Sequence, residues 1–304
     1  MHNVGMTTKP PDPVVGSKTN SRWSQDRRLE FIDFRLRWEG RINRSDITAF
    51  FGISVPQASL DIAKYLELGP ENLVYDRSSR IYLAGQAFKP IFACSSTPNY
   101  LNDLLALEAG FLEAESSFIG WRPPTALVPT PGRQLNAQTL TKLLQAIREQ
   151  QGVRVSYQSM THPEPQLRDL SPHAIAHDGF RWHVRAYCHK RKDFLDFVIA
   201  RILEIGVSES AGPGSLEDKA WQTTVEMVLA PHPGLSLSKR RAIELDYGMT
   251  DGKATLSCRQ ALLFYLLKHL RLDLDQPATP EAQQIVLLNE AAVKARLTEL
   301  RPQR

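Results

Sequence analysis

The 304-residue sequence predicts a multidomain α+β protein, and three patterns support this fold class. Residues 21–92 have the periodicity of helices followed by a short hairpin, residues 152–210 are rich in strands, and residues 220–304 mix both patterns. Pro- and Gly-rich stretches at 121–132 and 211–215 separate them. We therefore expect a winged helix-turn-helix, a small β-barrel and a C-terminal α+β domain.

Composition places few limits on the partner. The chain is 42% hydrophobic and 23% charged, which is ordinary for a globular protein, and no apolar run reaches the roughly 18 residues of a membrane helix. Residues 1–20 are polar and Pro-rich, which predicts a disordered tail without an export signal. The three cysteines are far apart, as expected for a cytoplasmic protein. A net charge of +4 permits a polyanionic partner.

The first unit has the pattern of a helix-turn-helix. Apolar residues recur at helical spacing over 22–38, and Gly40 ends this helix. Asn43 can cap a second helix, and Ser54 with Gln57 has the spacing of a capping box at the start of a third. A short helix, a tight turn and a well-capped helix together form the motif.

A basic hairpin follows the third helix and is typical of a wing. Arg77-Ser78-Ser79-Arg80 joins the strands LVYD and IYLAG. Wing arginines approach phosphates while a recognition helix, here 55–66, enters the major groove, so we predict a DNA-binding domain over 21–92. A protein–protein adaptor with its arginines on a solvated face is the alternative. The predicted DNA contacts are Ser54, Gln57, Ser59, Lys64, Arg77, Ser79, Arg80 and Arg27.

Residues 93–137 are predicted to be a helical linker, with one helix over about 98–115.

The second domain, 138–210, begins with a helix and continues as consecutive strands with short loops, which predicts a small, strongly bent antiparallel barrel. Asp178-Gly179 predicts a type I′ hairpin turn.

One predicted strand of the barrel, FRWHVRAYCH at 180–189, has an apolar face and a basic face. Five of the eight histidines lie between 162 and 189. Arg201 follows an apolar run, so we expect it near the core, where a permanently charged arginine needs an anionic partner. Phosphate matches guanidinium and imidazole donors, and we therefore expect an anion site here.

Three other interpretations of this unit remain open. Arg201 could form a structural salt bridge with Asp169 or Asp196. The histidines could bind zinc, although no compact ligand quartet is present. Histidine with Ser or Asp could support acyl transfer, but no nucleophile motif is present. We expect no metal, no cofactor and no enzymatic activity.

The C-terminal unit, 220–304, has strand-helix-strand-helix order. An apolar helix over 261–270 suits a core or a dimer interface, and an amphipathic helix over 281–300 could dock on its own domain or on a partner subunit. A single winged helix reads few base pairs. We therefore expect a homodimer on double-stranded DNA that carries an inverted repeat.

These residues resemble a known family. SPHAIAHDGFRWHVRAYCH followed by DFVIARI is similar to the WYL domain, an Sm-like barrel. With GISVPQASLDIAKY, the chain resembles the WYL regulators of bacterial anti-phage systems, the BREX- and CBASS-associated repressors of the BrxR and CapW type. Those proteins have a winged helix-turn-helix, a WYL domain and a C-terminal WCX domain. The resemblance is strong over 153–205 and weak after 220.

The resemblance implies a homodimeric, autoregulating repressor of a phage-defence operon that leaves DNA when its WYL domain binds a nucleotide or nucleic acid. Trp182-His183-Val184 stands where the motif has Trp-Tyr-Leu, so the ligands of better-known members are an unsafe guide. An effector that holds RNA or single-stranded DNA in the barrel, without promoter control, is the alternative. The strand pattern and the resemblance together predict ligand contacts at Tyr157, Ser159, His173, His183, Arg185 and Arg201.

Overall fold

The computed structural model describes residues 17–129, 131–210, 212–273 and 279–299. The chain divides into two compact units, Met1–Pro129 and Thr130–Arg304. The first unit has one hydrophobic core and the second has two, and helices and strands occur in both units, so the α+β prediction is confirmed. None of the described helices is both long and apolar enough to cross a bilayer.

The first unit is organised around a long helix, α1, whose Phe31, Ile32 and Leu36 are fully buried. Two shorter helices pack on it, and three short strands form an antiparallel sheet in the order β1-β3-β2. Residues 1–16 of the predicted tail lie outside the described residues. Residues 17–20 belong to α1 and not to a disordered tail. The elements are α1 (Ser17–Glu39), β1 (Arg41–Ile42), α2 (Arg44–Phe51), α3 (Val55–Leu68), β2 (Leu73–Asp76) and β3 (Ile81–Ala84).

The turn between α2 and α3 forms as the sequence predicts, with one difference. Gly52 ends α2 with a φ of +64°, and Ser54 Oγ accepts the backbone N–H of Gln57 at 3.4 Å. The Gln57 side chain does not complete the predicted capping box. Its Nε2 donates instead to Asp61, a buried carboxylate that lies one helical turn further on and 3.2 Å away.

Two buried carboxylates orient helix α3. Asp61 accepts both Nε and Nη2 of Arg28, at 2.6 and 3.1 Å, and so joins α3 to α1. Asp33 of α1 is fully buried and accepts the Tyr65 hydroxyl at 2.6 Å and the Ser95 hydroxyl at 2.5 Å. Charge-assisted hydrogen bonds therefore fix the orientation of α3 on α1, because such bonds are more specific in geometry than apolar packing.

Part of the predicted linker belongs to the first core. Helix α4 (Thr97–Glu108) buries Leu107 there, together with Phe118 and Ile119. The helix is shorter than the predicted 98–115, because Gly110 takes a φ of +71° and the chain turns. The segment up to residue 119 is therefore folded onto the first core. The predicted domain boundaries themselves stay a prediction.

The barrel of the second unit is a five-stranded antiparallel sheet in the order β7-β6-β5-β4-β8. The edge strands β7 and β8 are consecutive in the chain and are joined only by the 3₁₀ turn Ile199–Arg201, so the sheet must curl strongly. Val155, Leu170 and Val184 fill its interior beneath Leu143 of the preceding helix. The elements are α5 (Ala137–Glu149), β4 (Gly152–Tyr157), β5 (Gln166–His177), β6 (Trp182–Cys188), β7 (Asp193–Val198) and β8 (Ile202–Ser208).

The hairpin between β5 and β6 differs from the predicted type I′ turn. Asp178 N–H donates to the Arg181 carbonyl at 3.1 Å, so Gly179 and Phe180 are the loop residues. Gly179 alone has a positive φ, +89°, as a type II′ turn requires at its first central position. Asp178 lies outside the loop because its carboxylate accepts the N–H groups of Phe180 and Arg181, both at 2.8 Å.

The C-terminal part has a three-stranded sheet in the order β10-β9-β11. The prediction of one helix over 281–300 is wrong in its first half. Apolar residues from Ile285 to Leu287 pair with β9, and Asn289 accepts the N–H of Val228 at 3.0 Å before the helix starts. The elements are α6 (Lys219–Gln222), β9 (Thr224–Pro231), α7 (Leu237–Asp246), β10 (Ala254–Arg259), α8 (Leu263–His269), β11 (Ile285–Leu287) and α9 (Glu290–Glu299).

We predict that Asp61→Ala destabilises the first unit by about 3–5 kcal/mol, because it leaves the buried Arg28 guanidinium without its carboxylate. Urea denaturation of the full chain measures the change. Glu67→Ala, which removes an exposed ion pair with Lys64 on the same helix, is the matched control and should cost about 1 kcal/mol or less. Equal losses for the two variants would contradict this account of α3.

Candidate functional site

The outward face of α3 is partly apolar. Ala58, Asp61, Ile62 and Tyr65 face the core, whereas Leu60 on the opposite side is 63% exposed. Val55, at the start of the helix, is 57% exposed. The N-terminal half of α3 therefore presents aliphatic side chains as well as the predicted polar ones.

The polar residues predicted on α3 are engaged within the first unit. Gln57 donates to Asp61, and Lys64 forms an exposed ion pair with Glu67 at 2.8 Å. Ser59 Oγ donates to the Val55 carbonyl and accepts Nε of Arg44 at 2.9 Å. The position of Ser54 as the N-cap agrees with the sequence.

Arg44 was not among the predicted site residues, yet it links α2, α3 and β3. It is the first residue of α2, bonds Ser59 of α3, and donates a short hydrogen bond to the Tyr82 hydroxyl on β3. Its guanidinium also lies 5.1 Å from the centre of the Tyr82 ring. Its place at the N-terminus of a helix that precedes the recognition helix was the only available sequence signal.

The wing tip is exposed and internally ordered. Arg77 and Arg80 are exposed, and Arg80 has a φ of +57°. Asp76 accepts the backbone N–H and hydroxyl of Ser78 and a short hydrogen bond from Ser79, and these bonds hold the pKa of Asp76 at about 2. Both arginines therefore project from an ordered hairpin.

Arg27, also predicted to contact DNA, lies elsewhere in the first unit. Its guanidinium is 4.0 Å from the centre of the Phe118 ring and pairs with Glu30 at 3.0 Å. Half of the side chain remains exposed.

The basic face of β6 is buried in the second unit. His183 and Arg185 are 3% and 6% exposed, and they are covered by residues that follow the barrel in the chain. Three residues of the predicted apolar face enter the core: Val184, Ala186 and Cys188. Phe180 and Trp182 do not, and they are 59% and 47% exposed. Both faces of the middle of the strand are thus enclosed.

Arg185 is held by two carboxylates. Its Nε and Nη2 donate to the two oxygens of Asp218, at 2.7 and 3.1 Å, and its Nη1 donates to Asp196 at 3.2 Å. Burial lowers the pKa of Arg185, but the bonds to Asp218 and the charge of Asp196 outweigh it and raise the pKa. The guanidinium is permanently charged and fully paired in this conformation.

Two histidines join this basic cluster, which we define as His173, His183 and Arg185. His173 Nε2 donates to Asp218 at 3.0 Å, and His183 Nε2 donates to Asp178 at 2.9 Å. The Nδ1 atoms of both rings are buried and have no hydrogen-bond partner among the described residues. The cluster therefore retains unused hydrogen-bonding capacity.

The acids of the cluster stay ionised. Burial raises the pKa of Asp218, but hydrogen bonds from His173 and Arg185 dominate and bring it to about 2. Burial likewise opposes the bonds that Asp178 receives from His183 and two backbone N–H groups, and its pKa also falls to about 2.

The remaining predicted ligand residues lie at or just beyond the ends of β4 and β7, where Val198 pairs with His183. The buried Tyr157 hydroxyl accepts the Val198 N–H at 3.2 Å, and Ser159 is bonded to its neighbours Thr161 and His162. Arg201 is only partly buried and forms no ion pair within the described part of the chain. The expectation that Arg201 lies near the core is met only in part, because β7 ends at Val198 and Arg201 lies in the 3₁₀ turn that follows. Its contact with a ligand stays a prediction.

Neither carboxylate considered for Arg201 pairs with it. Asp169 bonds Arg154 at 2.8 Å, and Asp196 bonds Arg185. Over the residues that the structure describes, no group of three His, Cys, Asp or Glu side chains is arranged to hold a metal ion.

Three family models match the chain in the order of the folded parts. Residues 24–106 match the BrxR transcriptional regulator winged helix-turn-helix domain, and residues 138–207 match the WYL domain. Residues 224–293 match the BrxR transcriptional regulator C-terminal dimerization domain. A winged helix, a WYL barrel and a dimerization domain in this order define a WYL-domain transcriptional regulator.

Curated relatives identify the family more closely. The chain is 48% identical over 286 residues to the DNA-binding transcriptional repressor CapW of Escherichia coli strain KTE188, covering 93% of this chain and 95% of that protein. It is 49% identical to CapW of Pseudomonas aeruginosa, with 94% and 97% covered, and 49% identical to CapW of Stenotrophomonas maltophilia, with 91% and 94% covered. The chain belongs to the CapW family of transcriptional repressors, which confirms the resemblance found in the sequence.

We predict that Asp218→Asn flattens the acid dependence of stability. Asp218 titrates near its ordinary value of 3.8 when unfolded and at about 2 when folded. Its contribution is therefore complete above about pH 4, is lost as the pH falls to about 2, and amounts to roughly 2 kcal/mol. Urea denaturation at several pH values between 5 and 2.5 measures it, with the exposed neighbour Glu217→Gln as control. Parallel curves for wild type and Asp218→Asn would exclude the proposed ion pairing.

Proposed function

We propose that this chain is a homodimeric, non-enzymatic DNA-binding repressor of its own gene and of a phage-defence operon. We propose further that an anionic, phosphate-bearing ligand in the barrel relieves repression. The DNA-binding part is supported by the capped α3 beside an arginine-tipped wing, and by identity over most of the chain to proteins named as repressors. The defence operon rests on the resemblance to anti-phage regulators.

The polar contacts around α3 suit a DNA-contacting surface with fixed geometry. Arg28 and Asp61 hold α3 against α1, and Arg44 holds it against β3, so its outward face can enter the major groove as a rigid surface. We infer that Arg77 and Arg80 supply phosphate contacts, and that Leu60 supplies an apolar contact to thymine methyl groups. Gln57 would reach a base only after leaving Asp61.

Ligand relief is supported by the composition of the basic cluster. Arg185 carries a permanent charge in a nearly dry site, and both neighbouring imidazoles have a buried nitrogen with no partner in the part of the chain that the structure describes. A guanidinium with imidazoles matches the oxygens of a phosphate. The ligand must prefer one dimer geometry over another to change repression.

Sequence-specific DNA binding is the first test. DNA selected from a random pool by the wild-type chain should contain an inverted repeat and bind in a gel shift as a dimer complex. The slope of log K against log salt should become shallower by about one for each of Arg77→Ala and Arg80→Ala. Arg148→Ala, an exposed arginine on α5, is the control and should not change it. Binding without any preferred sequence would refute promoter control.

The contact of Leu60 with thymine gives a second prediction. Replacing a contacted thymine by deoxyuridine removes one methyl group and should weaken wild-type binding by about 0.8 kcal/mol, roughly fourfold. With Leu60→Ala the same replacement should have no further effect. Leu68→Ala, at the far end of the helix and 48% exposed, is the control and should keep the full deoxyuridine penalty. A penalty that survives in Leu60→Ala would remove Leu60 from the contacts.

A further inference from the structure

Asp218 binds the basic cluster in the way an anionic ligand would. Its two oxygens accept Nε and Nη2 of Arg185, and one of them also accepts Nε2 of His173. The Asp218 side chain is 2% exposed, so it is enclosed as a ligand would be. A phosphate offers a guanidinium the same pair of oxygens. The cluster is therefore built to hold an anion, and the chain's own carboxylate occupies it.

The carboxylate leaves part of this site unused. His173 and His183 each keep a buried Nδ1 atom without a partner in the described structure, and such atoms are rare in folded proteins. The rings of Trp221 and Tyr265 lie 5.7 and 5.1 Å from these two imidazoles. A larger polar ligand could satisfy atoms that Asp218 does not reach.

Arg185 makes an empty site unfavourable. Its charge cannot be neutralised, and removing Asp218 would leave it with Asp196 alone. Asp218 should therefore leave only as another anion arrives. An exchange of this kind links the release of Asp218 to the presence of ligand.

The segment that carries Asp218 connects two functional parts. Residues 212–223, which we call the connecting segment, lie between β8 of the barrel and β9 of the dimerization domain. Asp218 caps α6 within it, by accepting the Trp221 N–H at 3.1 Å. Trp221 in turn stacks against Arg259 of β10, at 4.7 Å. Moving Asp218 would disturb both the segment and its attachment to the dimerization domain.

We propose that Asp218 is an internal competitor for the anion site of the barrel. A phosphate-bearing ligand displaces the Asp218 carboxylate from Arg185 and His173 and frees the connecting segment. This inference rests on the proposed relief of repression by an anion and names how it is regulated. The closed state, with Asp218 bound, is the DNA-binding state.

Trypsin cleavage after Lys219 reports on the connecting segment directly. Lys219 is exposed but lies in α6 beside Asp218, so cleavage there should be slow in the closed state. The full-length chain is digested with and without each of two probes, and the peptide ending at Lys219 is quantified by mass spectrometry. The probes are inorganic pyrophosphate and a single-stranded DNA oligonucleotide of about ten nucleotides. Activity of the oligonucleotide alone would assign the phosphate to a nucleic acid, and activity of both to any phosphate-bearing anion.

The variants are Asp218→Asn and Glu217→Gln, which each remove one carboxylate from adjacent positions. Glu217 is exposed and bonds only Gly214 among the described residues. We expect Asp218→Asn to bind the active probe at least tenfold more tightly than wild type, to be cleaved at Lys219 without probe, and to bind selected DNA more weakly. Glu217→Gln should behave as wild type. Asparagine keeps the shape of the side chain, and Asp196 remains beside Arg185 to limit the damage to folding.

The outcomes separate this inference from the proposed function. If a probe releases DNA while Lys219 stays protected and Asp218→Asn binds the probe as wild type does, relief stands and internal competition is overturned. If Asp218→Asn binds the probe more tightly but no probe releases DNA, competition stands and relief falls. Should Asp218→Asn fail to fold, wild type decides, because probe-dependent cleavage at Lys219 supports the inference and probe binding without it refutes the inference.

Discussion

A buried arginine cannot lose its charge, and this constraint organises the second unit. Arg185 lies on a barrel strand, yet one of its two carboxylate partners, Asp218, lies 33 residues further along the chain and beyond the barrel. The barrel and the C-terminal part have separate hydrophobic cores but form one compact unit. A charged pair at their junction gives direction to a contact that apolar packing alone would leave free to slide. Such a pair adds little net stability over apolar packing. We infer that it serves instead to fix one arrangement of the two parts and to allow a ligand to replace the carboxylate.

The first unit also contains buried carboxylates that join separate elements, but there they fix the orientation of a helix. Asp61 and Asp33 are fully buried. Asp61 joins α3 to α1 by two hydrogen bonds from Arg28, and Asp33 joins α1 to α3 by one from the Tyr65 hydroxyl. Neither carboxylate has any exposed surface, and together they hold the recognition helix in one orientation. Rigid presentation suits DNA reading, because contacts to base edges tolerate little displacement. The two units thus differ in whether the buried carboxylate can be replaced.

The site residues fall into two groups for a physical reason. Residues on exposed turns, such as Arg77 and Arg80, stay exposed as their position in the sequence indicates. Residues on strands depend on what covers the strand. His183 and Arg185 share a face, and the chain after the barrel encloses that face, so a surface expected to be open to ligand is closed by an internal acid. A basic strand face therefore indicates that an anion binds there, but it does not indicate whether that anion is a ligand or a carboxylate of the same chain.

The sequence by itself determined the order of domains, the capped helices and the wing. Asn43, Ser54 and Gly52 act within one turn of the chain, and local hydrogen bonds and backbone preferences decide such positions. Only tertiary structure decided that Arg185 rather than Arg201 is buried, that Asp218 is its partner, and that residues 285–287 form a strand. Those outcomes depend on neighbours many residues away, and an alternating or helical pattern reports which side chains are apolar, not which element covers them.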